Sequence, residues 1–262
     1  MNLSLEGKKA MVCGSTQGIG LAVAHELALL GAEIILVARD ERKLIQVKKD
    51  LDGKTGKSHH YIVADFSFPP ELKLRVEDFI SEFGAVHVLV NNTGGPAAGN
   101  IENAKTDEFM NAFNAHLICN HILAKACLDG MKEEKYGRII NIISTSVKQP
   151  IPGLGVSNTI RAAVANWSKT LAGEVGKHGI TVNNVLPGAT GTQRLSSIAE
   201  NRAAKSGKTA EHIMQEFAEE IPMKRIAKPE EVAAAVAFLA SPAASYINGI
   251  NLPVDGGRTG NL

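Results

Sequence analysis

The chain has 262 residues, and its 28 Lys+Arg against 27 Asp+Glu leave a formal net charge of +1. That balance supplies no global field for nucleic acid or an anionic membrane, so any anion site is local. With 44% hydrophobic and 21% charged residues the composition excludes a disordered chain, and no apolar run reaches the roughly 18 residues of a membrane span.

The opening stretch MNLSLEGKKAMVC has no apolar signal core followed by small residues. Three scattered cysteines, Cys13, Cys119 and Cys127, give neither a disulfide framework nor a zinc or redox pair, and they read as small core hydrophobes. A cytoplasmic location is expected, with no metal site. His59-His60 has no carboxylate or thiolate partner at ligand spacing.

Short β-branched runs at Lys9–Cys13, Glu33–Ala38, His60–Val63, Val86–Val90, Arg138–Ile143, Thr181–Val185 and Ile250–Pro253 read as strands. Several are apolar at consecutive positions, as in Ile34-Ile35-Leu36-Val37, which implies burial on both faces and a parallel sheet. Helical periodicity fills the gaps. Ile19, Val23, Leu27 and Leu30 make one apolar stripe, stopped by Gly31. Further helices are expected at about 42–51, from Pro69-Pro70 to Gly84, at about 107–131, about 157–178 and 230–240. The segment 193–220 reads as helical but polar, broken at Lys205-Ser206-Gly207-Lys208. Repeated βα units predict one doubly wound α/β domain over 1–262, with a seven-stranded, mostly parallel sheet and helices on both faces. Ligands of such sheets bind at the carboxyl ends of the strands.

After the first strand comes Gly14-Ser15-Thr16-Gln17-Gly18-Ile19-Gly20, and a helix follows at once. Glycines there let the backbone turn tightly against a pyrophosphate, which the helix N-terminus attracts. The second strand ends at Ala38-Arg39, where an acidic residue would favour NAD. A guanidinium in that place suits a 2′-phosphate and NADP(H); the alternative is a solvated arginine beside Asp40.

The GxxxGIG loop, the turn Asn91-Asn92-Thr93-Gly94, the segment Gly137–Ile142 before a serine, Asn183–Gly188 and Val254-Asp255-Gly256-Gly257 occur in the order found in the short-chain dehydrogenase/reductase family. Over essentially its whole length the chain resembles that family, and within it the 3-oxoacyl-carrier-protein reductase branch. The resemblance implies a Rossmann-type fold and an NADP(H) site. Gly14, Ser15, Gln17, Gly18 and Ile19 would surround pyrophosphate and ribose. Asp65, followed by Phe66, would meet the adenine, with Asn92 and Gly94 at its ribose. Pro187, Gly188, Thr190 and Thr192 would border the nicotinamide. Asn91 reads instead as a polar brace of the sheet.

The family's catalytic group is Asn, Ser, Tyr and Lys. Asn114 and Ser144 match the first two, but YxxxK is absent. Ser157 stands for Tyr and Arg161 for Lys, still four residues apart on one helix face. The tyrosines, Tyr61, Tyr136 and Tyr246, have no spacing that replaces the lost one. An aliphatic hydroxyl is a poor general acid, whereas Arg161 keeps the charge that orients a ribose and stabilises an oxyanion. Catalysis would then draw its proton from water held by Asn114, Ser144 and Ser157, or from Lys148, which is otherwise a solvated loop lysine. The expected activity is reduction of a small-molecule carbonyl, with a 3-oxoacyl thioester among its candidates. The alternative is a catalytically silent NADP(H)-binding sensor or partner subunit. By the same resemblance residues 190–222 form a substrate lid, whose Lys205 and Lys208 meet an acidic carrier or solvent. The apolar faces around Phe113, Leu117, Ile118 and Ile122, and around Val164, Trp167 and Leu171, would pair between subunits of a homotetramer or homodimer. His116, two residues past Asn114, reads as a structural or surface histidine.

Overall fold

The computed structural model describes residues 1–261. Its strands are β1 (Lys9–Cys13), β2 (Glu33–Ala38), β3 (His60–Val63), β4 (Val88–Asn91), β5 (Gly137–Ile142), β6 (Ile180–Pro187) and β7 (Asn251–Val254). They form one sheet in the order β3-β2-β1-β4-β5-β6-β7, with every neighbouring pair parallel. The sheet is therefore wholly parallel rather than mostly so. Chain direction across it reverses between β1 and β4, the position where doubly wound sheets open a crevice at their carboxyl ends.

The helices are α1 (Gly18–Leu29), α2 (Glu41–Thr55), α3 (Pro69–Phe83), α4 (Thr106–Phe113), α5 (Cys119–Glu133), α6 (Gly155–Val175), α7 (Gln193–Ser206), α8 (Ala210–Glu219) and α9 (Pro229–Ala240). Alternate strand residues divide between two cores, as the two-residue period of a strand requires. Val12, Ile34, Leu36, Val88 and Ile140 pack with Val23 and Leu27 of α1, Leu44 of α2 and Val236 of α9. Met11, Ile35, Val37, Leu89 and Ile139 pack with Leu72 and Val76 of α3, Leu123 of α5 and Ala172 of α6. Ile34 through Val37 are completely buried, each contributing about 1.5–3 kcal/mol of apolar transfer. All three cysteines lie in these layers, and burial pushes the Cys119 and Cys127 thiols up to about 12.

The helix expected at 107–131 is divided. α4 passes into α5 through one wide π turn, Asn114–Ile118, in which Cys119 N–H donates back to the Asn114 carbonyl. Such turns insert a residue into the helical ladder and rotate everything before it. At the far end, Gly207 adopts φ +70° and ends α7, and Thr209 caps α8 by accepting from His212 N–H at 3.2 Å. α7 and α8 pack on each other through Ala199, Ala203, Ile213 and Phe217, a small core apart from the sheet.

Buried amides tie β4, β5 and β6 together beneath the crevice. Asn91 Nδ2 donates to Asn141 Oδ1 at 2.8 Å, Asn141 Nδ2 to Ser168 Oγ at 2.9 Å, and Ser168 Oγ to Asn184 Oδ1 at 2.8 Å. Among the described residues no helix is long and apolar enough to cross a membrane.

Candidate active site

The loop between β1 and α1 is built by close backbone approach. A Cβ on Gly14, whose φ is +60°, would stand 2.6 Å from the Asn92 carbonyl oxygen, and one on Gly20 would stand 2.2 Å from the Gly14 carbonyl oxygen. Asn92 Nδ2 donates to the Cys13 carbonyl at 3.2 Å and locks the β4 turn onto this loop. Gln17 is the N-cap of α1 in an extended conformation, its side chain makes no capping bond, and the first turn holds no acidic residue. The first N–H groups of α1 are thus left for an external anion.

This loop forms one end of a cavity of about 620 Å³ that runs along the carboxyl edge of the sheet. Gly14, Gln17, Gly18, Ile19, Arg39, Asp65, Phe66, Asn92, Gly94, Pro187, Gly188, Thr190 and Thr192 all line it, together with Ser144, Ser157 and Arg161. Three of the residues singled out from sequence are not in the lining. Ser15 is fully buried, with its Oγ 3.5 Å from the Val37 carbonyl. Asn114 opens the π turn, and its neighbour Ala115 is the one that lines the cavity. Lys148 closes a short 3-10 turn, Thr145–Val147, and its carbonyl accepts from Asn261 Nδ2 at 2.9 Å.

At the β2 end, Arg39 is exposed on the cavity wall, and among the described residues it has no ion-pair partner. Asp40, which could have neutralised it, is the N-cap of α2 and accepts from Lys43 N–H at 3.2 Å. No acid stands at the strand end, where Ala38 lines the wall. Glycine cradle, bare helix N-terminus and free arginine together fit a dinucleotide with a 2′-phosphate.

The opposite end carries the serines and the arginine that stand where the family's catalytic residues are expected. Ser144 Oγ accepts from Ser146 N–H at 3.1 Å. Ser157 and Arg161 are each 8% exposed, one turn apart on α6, and Arg161 Nη1 donates to the Ile142 carbonyl at 2.9 Å. Burial, with help from the nearby Arg194, holds the Arg161 guanidinium down at about 10. None of the three tyrosines lines the cavity. Tyr136 Oη donates to the Ala240 carbonyl at 2.7 Å, Tyr61 Oη donates to Glu41 Oε1 at 3.4 Å, and Tyr246 is fully exposed.

Sequence reasoning missed Thr93 and Arg194. Thr93 lines the cavity and its Oγ1 meets His116 Nδ1 at 2.5 Å. His116 is 2% exposed, so it is a buried structural group rather than a surface one, and burial beside Arg161 and Arg194 drives its pKa down to about 2. Arg194 projects from α7 into the cavity wall, and its Nη2 donates to the Pro96 carbonyl at 2.5 Å. Its one legible signal was a cation in the first turn of a helix, the end where a positive charge is disfavoured. Lys208, expected to face solvent or a carrier, is paired with Glu216.

A crevice at the β1/β4 reversal, a glycine cradle opening the first helix, and serine and arginine at the far strand ends define a dinucleotide-binding oxidoreductase fold. A family model described as enoyl-(acyl carrier protein) reductase matches residues 14–259, and the chain belongs to the short-chain dehydrogenase/reductase family. It is 34% identical over 256 residues to a 3-oxoacyl-[acyl-carrier-protein] reductase of Vibrio cholerae, covering 97% of this chain and 98% of that one. It is 32% identical over 251 residues to the NADPH-dependent reductase BacG of Bacillus subtilis, covering 95% and 97%. Among solved structures, L-sorbose reductase from Gluconobacter frateurii, complexed with NADPH and L-sorbose, superposes with TM-score 0.94 at 34% identity over the full length of both chains.

Proposed function

We propose that this protein is an NADP(H)-dependent reductase of a small-molecule carbonyl that works without the tyrosine general acid. The observation that carries the reading is the continuity of one cavity from the phosphate cradle and Arg39 to Ser144, Ser157 and Arg161. Gly14, Gln17, Gly18 and Ile19 would hold the pyrophosphate and ribose, Arg39 the 2′-phosphate, Asp65 and Phe66 the adenine end, and Pro187, Gly188, Thr190 and Thr192 the nicotinamide. Bound there, NADPH supplies hydride.

The chain's own residues do the rest. Ser144 and Ser157 orient the carbonyl oxygen by hydrogen bonds. Arg161 stays charged near neutral pH, holds the ribose and stabilises developing negative charge on that oxygen. The proton reaches the oxygen from water through the two serine hydroxyls; Asn114, whose neighbour Ala115 takes its place in the lining, is not needed to order that water. Lys148 stands outside the lining, so this route does not need it. α7 and α8, with their own small core, serve as the lid over residues 190–222. Copies pair into a tetramer or dimer through the face around Phe113, Leu117, Ile118 and Ile122, whereas Val164, Trp167 and Leu171 pack into the protein's own core rather than standing free as a second such face; the protein works in the cytoplasm.

One observation favours a second reading, a silent NADP(H)-binding sensor: no tyrosine reaches the cavity. Both are tested by mixing the protein with NADPH, following cofactor fluorescence for binding and loss of its absorbance band for turnover across a carbonyl panel that includes acetoacetyl thioesters. Binding with consumption supports the reductase. Binding without consumption, with turnover appearing in the Ser157→Tyr/Arg161→Lys double variant, supports the sensor.

A further inference from the structure

Two guanidinium groups converge on the reacting end of the cavity, and neither has an anionic partner among the described residues. Arg161 is nine-tenths buried and makes one protein hydrogen bond, to the Ile142 carbonyl. Arg194 makes one, to the Pro96 carbonyl. Each guanidinium has five N–H donors in a fork shaped for carboxylate, so most of this capacity has no protein partner, and the ribose contact of the reading above takes only part of Arg161's. The lining holds a single carboxylate, Asp65, and it belongs to the opposite end, just past β3, where its Oδ1 accepts from Ser67 N–H at 2.8 Å. The other titratable group packed against the arginines, His116, is held neutral and offers no compensation.

A buried cation without a partner is expensive, and a second cation beside it raises the cost. Each arginine is already perturbed by the burial of its own charge, and Arg161 also by Arg194. Arg194 further occupies the first turn of α7, where the helix dipole opposes it. All three costs fall when a compact anion enters between the two side chains. The phosphate-holding features sit elsewhere, on the β1–α1 loop and at the end of β2, whereas Arg161 shares its helix face with Ser157.

Resting on the reductase reading above, we infer that the substrate is an oxo acid, its carboxylate clamped between Arg161 and Arg194 and its ketone directed at Ser144 and Ser157. A neutral thioester would leave both cations unpaired. The clamp also ties substrate to lid, because Arg194 rides on α7 while Arg161 is fixed to the sheet through Ile142. Carboxylate binding therefore draws α7 toward α6 and shuts the crevice.

The test is calorimetric binding to protein saturated with NADP+, so that nothing turns over. Linear 2-oxo and 3-oxo acids of rising chain length are compared, each against its own methyl ester. At least one acid is expected to bind about tenfold or more tighter than its ester, the gain of a charge-assisted pair, with the margin shrinking as salt rises. Arg194→Gln is expected to erase the margin and Arg194→Lys to keep part of it, with NADP+ affinity within about twofold in both. The clamp is overturned by esters binding as well as acids, by a margin that survives Arg194→Gln, or by Arg194→Gln weakening NADP+ instead. A parallel NADPH consumption assay separates the two readings. An acid preference without consumption keeps the clamp and refutes the reductase, and equal consumption of acids and esters keeps the reductase and refutes the clamp.

Discussion

Replacing Arg161 by Met removes a buried cation while leaving most of its volume filled. The guanidinium falls from its ordinary 12.5 to about 10 in the folded chain, and at about 1.4 kcal/mol per pH unit that drop corresponds to a charging cost of about 3 kcal/mol. Against it stands one hydrogen bond from a charged donor, to the Ile142 carbonyl, of about 1.5–3 kcal/mol. The balance favours the variant by about 1 kcal/mol, which in a domain of this size raises the melting temperature by ~2–4 °C. The sign with pH follows from the depressed value of a basic group: the penalty is complete below about pH 10 and fades as pH rises from there toward 12.5, so a melt near pH 7.5 registers all of it. The assay is thermal and urea unfolding of the ligand-free protein, paired with NADPH turnover. Arg161→Met is expected to melt higher and turn over far more slowly, the trade-off of a residue kept for function at a stability cost. A melting temperature several degrees lower would show Arg161 to be a structural brace and would remove the basis for treating it as an unpaired cation.

Arg39→Asp puts a carboxylate where a 2′-phosphate would lie and is expected to reverse the preference between NADPH and NADH, a change of about tenfold or more from the lost charge-assisted pair alone; an unchanged affinity ratio would refute Arg39 as its ligand. His116 is neutral in the folded chain because its pKa drops from 6.5 to about 2, so the unfolded chain takes up a proton that the folded chain does not, and stability falls as pH drops below 6.5. Between pH 6.5 and 5 the loss from this group is about 2 kcal/mol. His59 and His87, also lowered by burial, add in the same direction. His116→Gln is expected to flatten that acid limb in urea melts, and parallel limbs in variant and parent would contradict the burial argument.

The inner strands were readable because burial on both faces leaves short runs of consecutive apolar residues: β1 and β2 have the limits expected from theirs, while β3, with one buried residue of four, was marked by its Ile62-Val63 pair. The phosphate cradle was readable because only glycine fits backbone that passes within 2.2–2.6 Å of a would-be Cβ, as at Gly20 and Gly14. The π turn was not readable, since Asn114–Ile118 has a sequence equally at home in an α-helix, and the extra residue is chosen by packing. That is why Ala115 rather than Asn114 lines the cavity. Ser15 shows a related limit: a loop pattern names the residue but not which way its side chain points, and Ser15 turns inward toward β2. Arg194 looked like one polar residue among many on α7, and only the folding of that helix over the β4 loop brings it to Pro96 and within reach of Arg161.

Ser157 and Arg161 are best understood as one change rather than two. A tyrosine needs a neighbouring cation mainly to bring its phenol toward neutrality; once the phenol is gone, a lysine in that place has no acid to tune and would itself be liable to deprotonate on burial. An arginine keeps its charge there even with a value pulled down to about 10, so it works as a fixed positive field and not as a proton carrier. A short serine beside it leaves room that a phenol would fill, and that room adjoins the arginine's free donors. Loss of the acid, gain of a permanent cation and space for a ligand next to it thus follow from a pair of residues on one face of α6. Arg194, brought over by α7, supplies the second cation that a lone buried arginine lacks for holding a carboxylate on both sides.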